Sequence, residues 1–335
     1  MSDLLLGAVF VVGAAVSLGA SWVLVVRLER VGARLGLSEA LLGMLAALAA
    51  DAPEITAAVT ALIGGHVKIG AGVVIGSNVF NLATLLGLAA IVAGSIALHR
   101  RVVAMEGAVA VWIALVCVAV VAGAVSALVG LGAALLVLAP YLVLLSGRHD
   151  WLTRIGFPAR WASWLQASIV EEEVELEVAI HPRRGGGRDV ALAIFATFIV
   201  IGASIAMERS AATLGARHAV PDIVIGGLLL AGVTSLPNAV AAIYLAAHGR
   251  GAATLSTAMN SNALNIVAGL LLPASIAGGL SASSADDAAL VAAWYLGLTV
   301  FALACAYHSR GLRRGHGALI VGAYLVFTAV LLATA

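Results

Sequence analysis

The chain is 335 residues long, 62% hydrophobic and only 10% charged, with a net charge of +1. Soluble domains carry about 25% charged residues, so composition excludes a water-soluble globular fold. A single lysine and a balanced charge leave no basic surface, which excludes a nucleic-acid partner.

Residues 4–26 form an apolar stretch of spanning length with no basic leader and no small-residue cleavage pattern. They read as a retained first helix, not a signal peptide. Further stretches able to cross a hydrocarbon core of about 30 Å fall at 38–63, 69–95, 102–122, 124–146, 190–213, 222–247, 253–279, 287–308 and 316–334, making ten spans. Cys117 and Cys305 sit in apolar runs on different spans and read as small apolar residues. Between the fifth and sixth spans, residues 147–189 hold 6 of the 17 arginines and 7 of the 17 acidic residues. The chain therefore divides into a five-helix unit at 1–146, a polar loop at 147–189 and a second five-helix unit at 190–335. Trp151, Trp161 and Trp164 suggest that part of the loop lies along the membrane interface. The acidic run at 171–177 reads as a solvated face.

Basic residues set the orientation. With the N-terminus outside, the inner loops carry 15 of the 18 Lys and Arg residues, and only Lys68, Arg209 and Arg217 fall outside. Both termini are expected outside, which requires an even number of spans.

An internal repeat carries most of the information. Residues 43–65 align without gaps on 227–249 at an offset of 184, and "GSNVFNLATLLGL" at 76–88 lies over "NSNALNIVAGLLL" at 260–272 at that same offset. Pro53 pairs with Pro237, Ser77 with Ser261, Asn78 with Asn262, and Asn81 with Asn265. Five spans separate matching points, so the copies have opposite topology, a pattern that places binding sites on interrupted helices at the repeat interface.

Asp51 and Glu54 lie near the middle of the second span, flanking Pro53. A charge at the centre of a spanning helix costs about 2.5–3.5 kcal/mol, so it faces a cavity or a partner. Proline removes an N–H and frees carbonyls of the preceding turn. Carboxylates beside free carbonyls make a hard oxygen site suited to Ca²⁺ or Na⁺. The seventh span repeats the break with Thr234, Ser235, Pro237 and Asn238. The third and eighth spans add Ser77, Asn78 and Asn81, and Ser261, Asn262 and Asn265, each trio on one helical face. Lone residues of this kind act as interhelical glue, but six of them in register with two broken helices read as a site. Glu106, near Arg100 and Arg101, and Glu208, beside Arg209, read as interfacial or snorkelling groups. The eight histidines lie at span ends or in loops without metal-ligand spacing.

With "AADAPE…GSNVFN" in one copy and "GVTSLPN…NSNALN" in the other, the sequence resembles the cation/calcium exchanger superfamily, the Na⁺/Ca²⁺ antiporters in particular. The resemblance covers nearly the whole chain. It implies alternating access, with the first and sixth helices sliding over a central bundle, and it implies Glu54, Ser77, Asn81, Thr234, Ser235, Ser261 and Asn265 as ligands. The sequence departs from the family pattern where Thr and Ser become Ala50 and Asp51, and where the second-repeat Glu becomes Asn238. Asp51 restores the count of two acids on one half of the site.

The expected function is secondary active exchange of Ca²⁺ against Na⁺ in the cell membrane, with inorganic cations and the lipid bilayer as partners. No cofactor and no enzyme activity are expected, and no Walker-type nucleotide motif is present. The alternative within the class is a cation/H⁺ antiporter, because like charges three residues apart disfavour double ionisation. A cation channel is the alternative from another class, although channels build pores on axes between subunits. An intramembrane aspartyl protease needs two mid-span aspartates on separate helices, and Asp51 is the only one.

Overall fold

The computed structural model describes residues 1–146, 185–277 and 285–335, with scattered residues in 158–170 and Gly279. The acidic run 171–177, Trp151 and Trp161 lie outside the described residues. Trp164 is half-buried against the core.

Twelve helices are described here. They are α1 (Asp3–Leu35), α2 (Glu39–Ala50), α3 (Ala52–Ile63), α4 (Val67–Ala93), α5 (Arg100–Val121), α6 (Ala127–Leu145), α7 (Gly187–Arg217), α8 (Asp222–Thr234), α9 (Leu236–Ala247), α10 (Gly251–Ile276), α11 (Ala285–Ser309) and α12 (Arg314–Thr334). Among the described residues eight helices are long and apolar enough to cross a bilayer alone, and the pairs α2–α3 and α8–α9, bent by 52° and 49°, bring the spans to ten when each pair is one broken span. The bends fall where the two prolines predicted breaks. Pro53 and Pro237 occupy the first turn after each break, where a missing N–H is tolerated.

Two features were not legible as apolar runs. Ser95–Ala97 (β1) pairs antiparallel with Gly311–Arg313 (β2), joining two loops of opposite repeats in a short ribbon. Wider π-helical turns interrupt α4 at Leu82–Leu88, α8 at Ile225–Leu230 and α10 at Asn265–Leu271.

The ends of the bundle segregate as the repeat requires. At one end, Arg27 and Arg30 pair with Asp189 at 2.9 and 3.5 Å, the β ribbon forms, and Gly251 abuts the Ala97 carbonyl. At the other end, Arg217 meets Asp3 at 2.6 Å and Lys68 meets Asp287 at 2.8 Å. All the predicted inner loops with described contacts thus share one end.

The core is built on α4 and α10, the most enclosed spans. Close packing there depends on glycine. A Cβ at Gly76 would collide with the Gly227 backbone, and one at Gly226 with the Ile69 carbonyl, so α4 and α8 meet main chain to main chain. In contrast, α1 and α7 lie antiparallel on one flank, with exposed apolar faces.

Candidate cation site

The polar residues predicted from the two copies converge in the middle of the bundle. Asp51, Glu54, Ser77, Asn78, Asn81, Thr234, Ser235, Asn238, Ser261, Asn262 and Asn265 are all buried. Asp51 and Ser235, equivalent under the 184-residue offset, are the hinge residues of the two broken helices. Both hinges have αR-like torsions, φ −78° and ψ −8° at Asp51, φ −84° and ψ 0° at Ser235. Neither side chain caps its own helix. Each is used across the repeat boundary instead.

Asp51 Oδ1 accepts hydrogen bonds from Asn238 Nδ2 and from Ser261 Oγ, the latter at 2.8 Å. Glu54 accepts from Asn265 Nδ2 at 2.5 Å and from Ser235 Oγ at 3.1 Å. Both acids of the first repeat are therefore held by donors of the second. Asn238, standing where the resembled family has Glu, serves as a neutral donor to the relocated Asp51.

A second set of bonds follows a local pseudo-twofold. Asn78 Nδ2 donates to the Asn262 carbonyl at 3.0 Å, and Asn262 Nδ2 donates back to the Asn78 carbonyl at 3.2 Å. Asn81 Nδ2 reaches Ser261 Oγ at 3.3 Å and Asn262 Oδ1 at 3.1 Å. Asn78 and Asn262 thus act in part as the interhelical glue weighed above, pinning α4 to α10.

Four buried oxygens of this cluster have no hydrogen-bond partner: Asp51 Oδ2, Ser77 Oγ, Asn81 Oδ1 and Asn265 Oδ1. Buried polar atoms are almost always paired, and an unpaired one costs about 1–3 kcal/mol. Three of the four can only accept, so a hard cation is the species that would satisfy them together. Neither acid forms an ion pair with Lys, Arg or His among the described residues. No cluster of three His, Cys, Asp or Glu side chains exists among them either. The arrangement is thus two carboxylates within neutral oxygens, unlike a soft-metal centre.

Two readings need correction. The carbonyl that Pro53 frees is that of Ala49, four residues back, and Ser21 Oγ of α1 occupies it at 2.8 Å instead of leaving it for a cation. Thr234 is buried, and its hydroxyl donates to Leu230 O at 2.9 Å, which leaves both of its oxygen lone pairs able to accept. Glu106 and Glu208 are not interfacial, being 1% and 2% exposed. Glu106 accepts from the buried Tyr141 hydroxyl at 2.7 Å. Both acids lie on faces turned into the bundle while Arg100, Arg101 and Arg209 are exposed, because nearby positions diverge by about 100° per residue and need not share a face.

Such a bundle, with two broken helices enclosing an oxygen-lined acid pair, is that of a membrane cation carrier of the inverted-repeat class. The chain belongs to the sodium/calcium exchanger protein family, which it matches over residues 5–148 and 189–333. It is 28% identical over 301 residues to the inner membrane protein YrbG of Escherichia coli (strain K12), covering 88% of this chain and 87% of that protein. Its fold is similar to that of the sodium-calcium exchanger NCX_Mj, with a TM-score of 0.57 at 18% identity over 98% of this chain and 99% of that one. The H⁺/Ca²⁺ exchanger CAX matches with a TM-score of 0.64 at 14% identity, over 97% of this chain and 85% of that one. Native YfkE gives 0.61 at 14% identity, over 97% and 99%.

Proposed function

We propose that the chain is a secondary active antiporter that moves Ca²⁺ against Na⁺ by alternating access at the Asp51–Glu54 site, in the plasma membrane, with both termini outside. The observation that carries this reading is the pair of buried carboxylates with no basic partner among the described residues, surrounded by unpaired oxygens from both repeats. Two buried negative charges suit one divalent ion or two monovalent ones, because uncompensated charge in a low-dielectric interior is prohibitive. A cargo that swaps between those two loads needs no nucleotide and no cofactor. Family membership and the name of the relative NCX_Mj support the same reading.

Proton coupling is the second reading, favoured by one observation: both acids sit on the first repeat, bonded by the donors Asn238 and Asn265 of the second. Two carboxylates so close can share a proton, and the fold likeness to the exchanger CAX is compatible with it. The experiment is ⁴⁵Ca²⁺ uptake by proteoliposomes under an imposed Na⁺ or H⁺ gradient. Uptake driven only by Na⁺ supports the first reading and uptake driven only by H⁺ the second. Flux without any trans counter-ion indicates a channel and sinks both. For topology, a cysteine beside Lys68 should react with an impermeant reagent from outside only.

A further inference from the structure

Helices α3 and α7 enclose a cleft of about 1180 Å³. Its walls are Ile55, Thr56, Val59 and Thr60 on one side and a stripe of Ile201, Ile205, Glu208 and Ala212 on the other. The spacing of the second set, i, i+4, i+7 and i+11, is one face of a helix. The mouth lies at the end bearing His66 and Arg217. The inner end reaches Ile55 and Thr56, which directly follow Glu54 in the chain. Glu208 lines the same cleft.

Glu208 is 2% exposed, and its Oε1 has no hydrogen-bond partner. A buried carboxylate without partners is among the most costly groups a protein can hold. The cations nearest to it, His66 and Arg209, are exposed to solvent at the rim and form no bond with it. Under the 184-residue offset Glu208 falls on Leu24, which is buried in a small apolar cluster with Ala49, Ala193 and Ala196. The acid therefore has no counterpart in the first repeat.

We propose that Glu208 is a separate binding site for one monovalent cation, Na⁺, lying in this cleft on the way to the Asp51–Glu54 pair. A single carboxylate balances one positive charge. A divalent ion would leave an excess positive charge, increased by Arg209 and by His66 when protonated. The cleft is roomy enough for an ion that keeps part of its water shell, and the half-buried Thr56 and Thr60 line the same wall. The exchange reading is needed for one point only, that the held ion is the counter-ion.

Two measurements on the full-length protein test the site. The first is ²³Na NMR line broadening in a chain whose central acids are neutralised by Asp51→Asn and Glu54→Gln. Broadening should persist there and disappear when Glu208→Gln is added. Its persistence in the triple variant, or its absence from the double variant, overturns the proposal whether or not the protein exchanges Ca²⁺. The second is transport by Glu208→Gln alone. Half-saturating Na⁺ should rise roughly tenfold while half-saturating Ca²⁺ stays unchanged, and Glu208→Asp should retain most of the Na⁺ response. A parallel shift in both ions, or a change only in pH dependence, overturns it. An unaltered chain that moves no Ca²⁺ refutes the exchange reading and leaves the NMR result to decide Glu208.

Discussion

Helices α4 and α10 are 78% and 72% buried over their most apolar stretches, whereas α1 and α7 are 33% and 28% buried. The central pair is sewn together by amide bonds across the repeat boundary, and glycine contacts press α8 main chain to main chain against α4. The flanking pair is fastened chiefly to itself. Arg27 and Arg30 hold Asp189 at one end, Asp3 holds Arg217 at the other, and Ser17 meets Ser204 at 2.7 Å in the middle. Its hydroxyl contact with the core is Ser21 on the Ala49 and Ala50 carbonyls. One region is thus interlocked across the repeats and the other bound chiefly to itself. Rigidity is spent where ligands must stay in place.

That contrast can be broken at four points. The largest effect is expected from Glu54→Gln, which removes one of the two central charges. Uptake should fall by roughly 100-fold or more, since a 2.7 kcal/mol loss already corresponds to that factor, while size-exclusion behaviour stays normal. Near-normal uptake would remove the acid pair from the mechanism. Next comes Asp51→Ser, which restores the family residue but leaves one buried charge. Ca²⁺ binding measured by calorimetry should weaken by about tenfold or more, and Asp51→Ser combined with Asn238→Glu should recover much of it. A double variant no better than the single one would show that Asp51 does not compensate for Asn238.

The third test addresses packing. Gly76→Ala puts a methyl group into the Gly227 backbone, which cannot yield as a flexible side chain would. Overpacking of this kind costs about 1–3 kcal/mol, and should appear as a lower melting temperature in detergent. The smallest effect is expected from Gly19→Ala and Gly202→Ala on the flanking helices, where nothing lies within 4 Å of the added carbon. Both should change stability by about 0.5 kcal/mol or less. A large loss at Gly19 or Gly202, or none at Gly76, would erase the distinction between the regions.

Much of this was readable before any coordinates. The ten spans follow from hydropathy because a bilayer leaves backbone no choice but helix. The site followed from the repeat, since Pro53 and Pro237, and the two Ser-Asn-x-x-Asn motifs, stand out against otherwise apolar sequence. Other features lacked a signal of their own. The β ribbon is three residues on each side, too short for a periodic pattern. The π-helical turns change hydrogen-bond register without changing composition. The overrun of α1 to Leu35 and of α7 to Arg217 passes through charged residues that hydropathy assigns to loops. The fate of the Ala49 carbonyl depended on a serine 28 residues away, on a helix whose packing direction no local pattern reveals. Glu106 and Glu208 were misplaced because an exposed arginine nearby in sequence does not show which face of the helix the acid occupies.

The absence of basic partners at the central acids, among the described residues, bears on leakage. In the exchange proposed above, closing the site over Asp51 and Glu54 without cargo would enclose bare negative charge in a low-dielectric interior, against a barrier that positive cargo removes. A lysine in the cluster would abolish that barrier and let the unloaded protein switch sides freely, and stored gradients would then drain without work. Under the proposed exchange, acids without basic partners would make the passenger itself the key to the turnstile, and slippage would be suppressed by electrostatics without a mechanical latch.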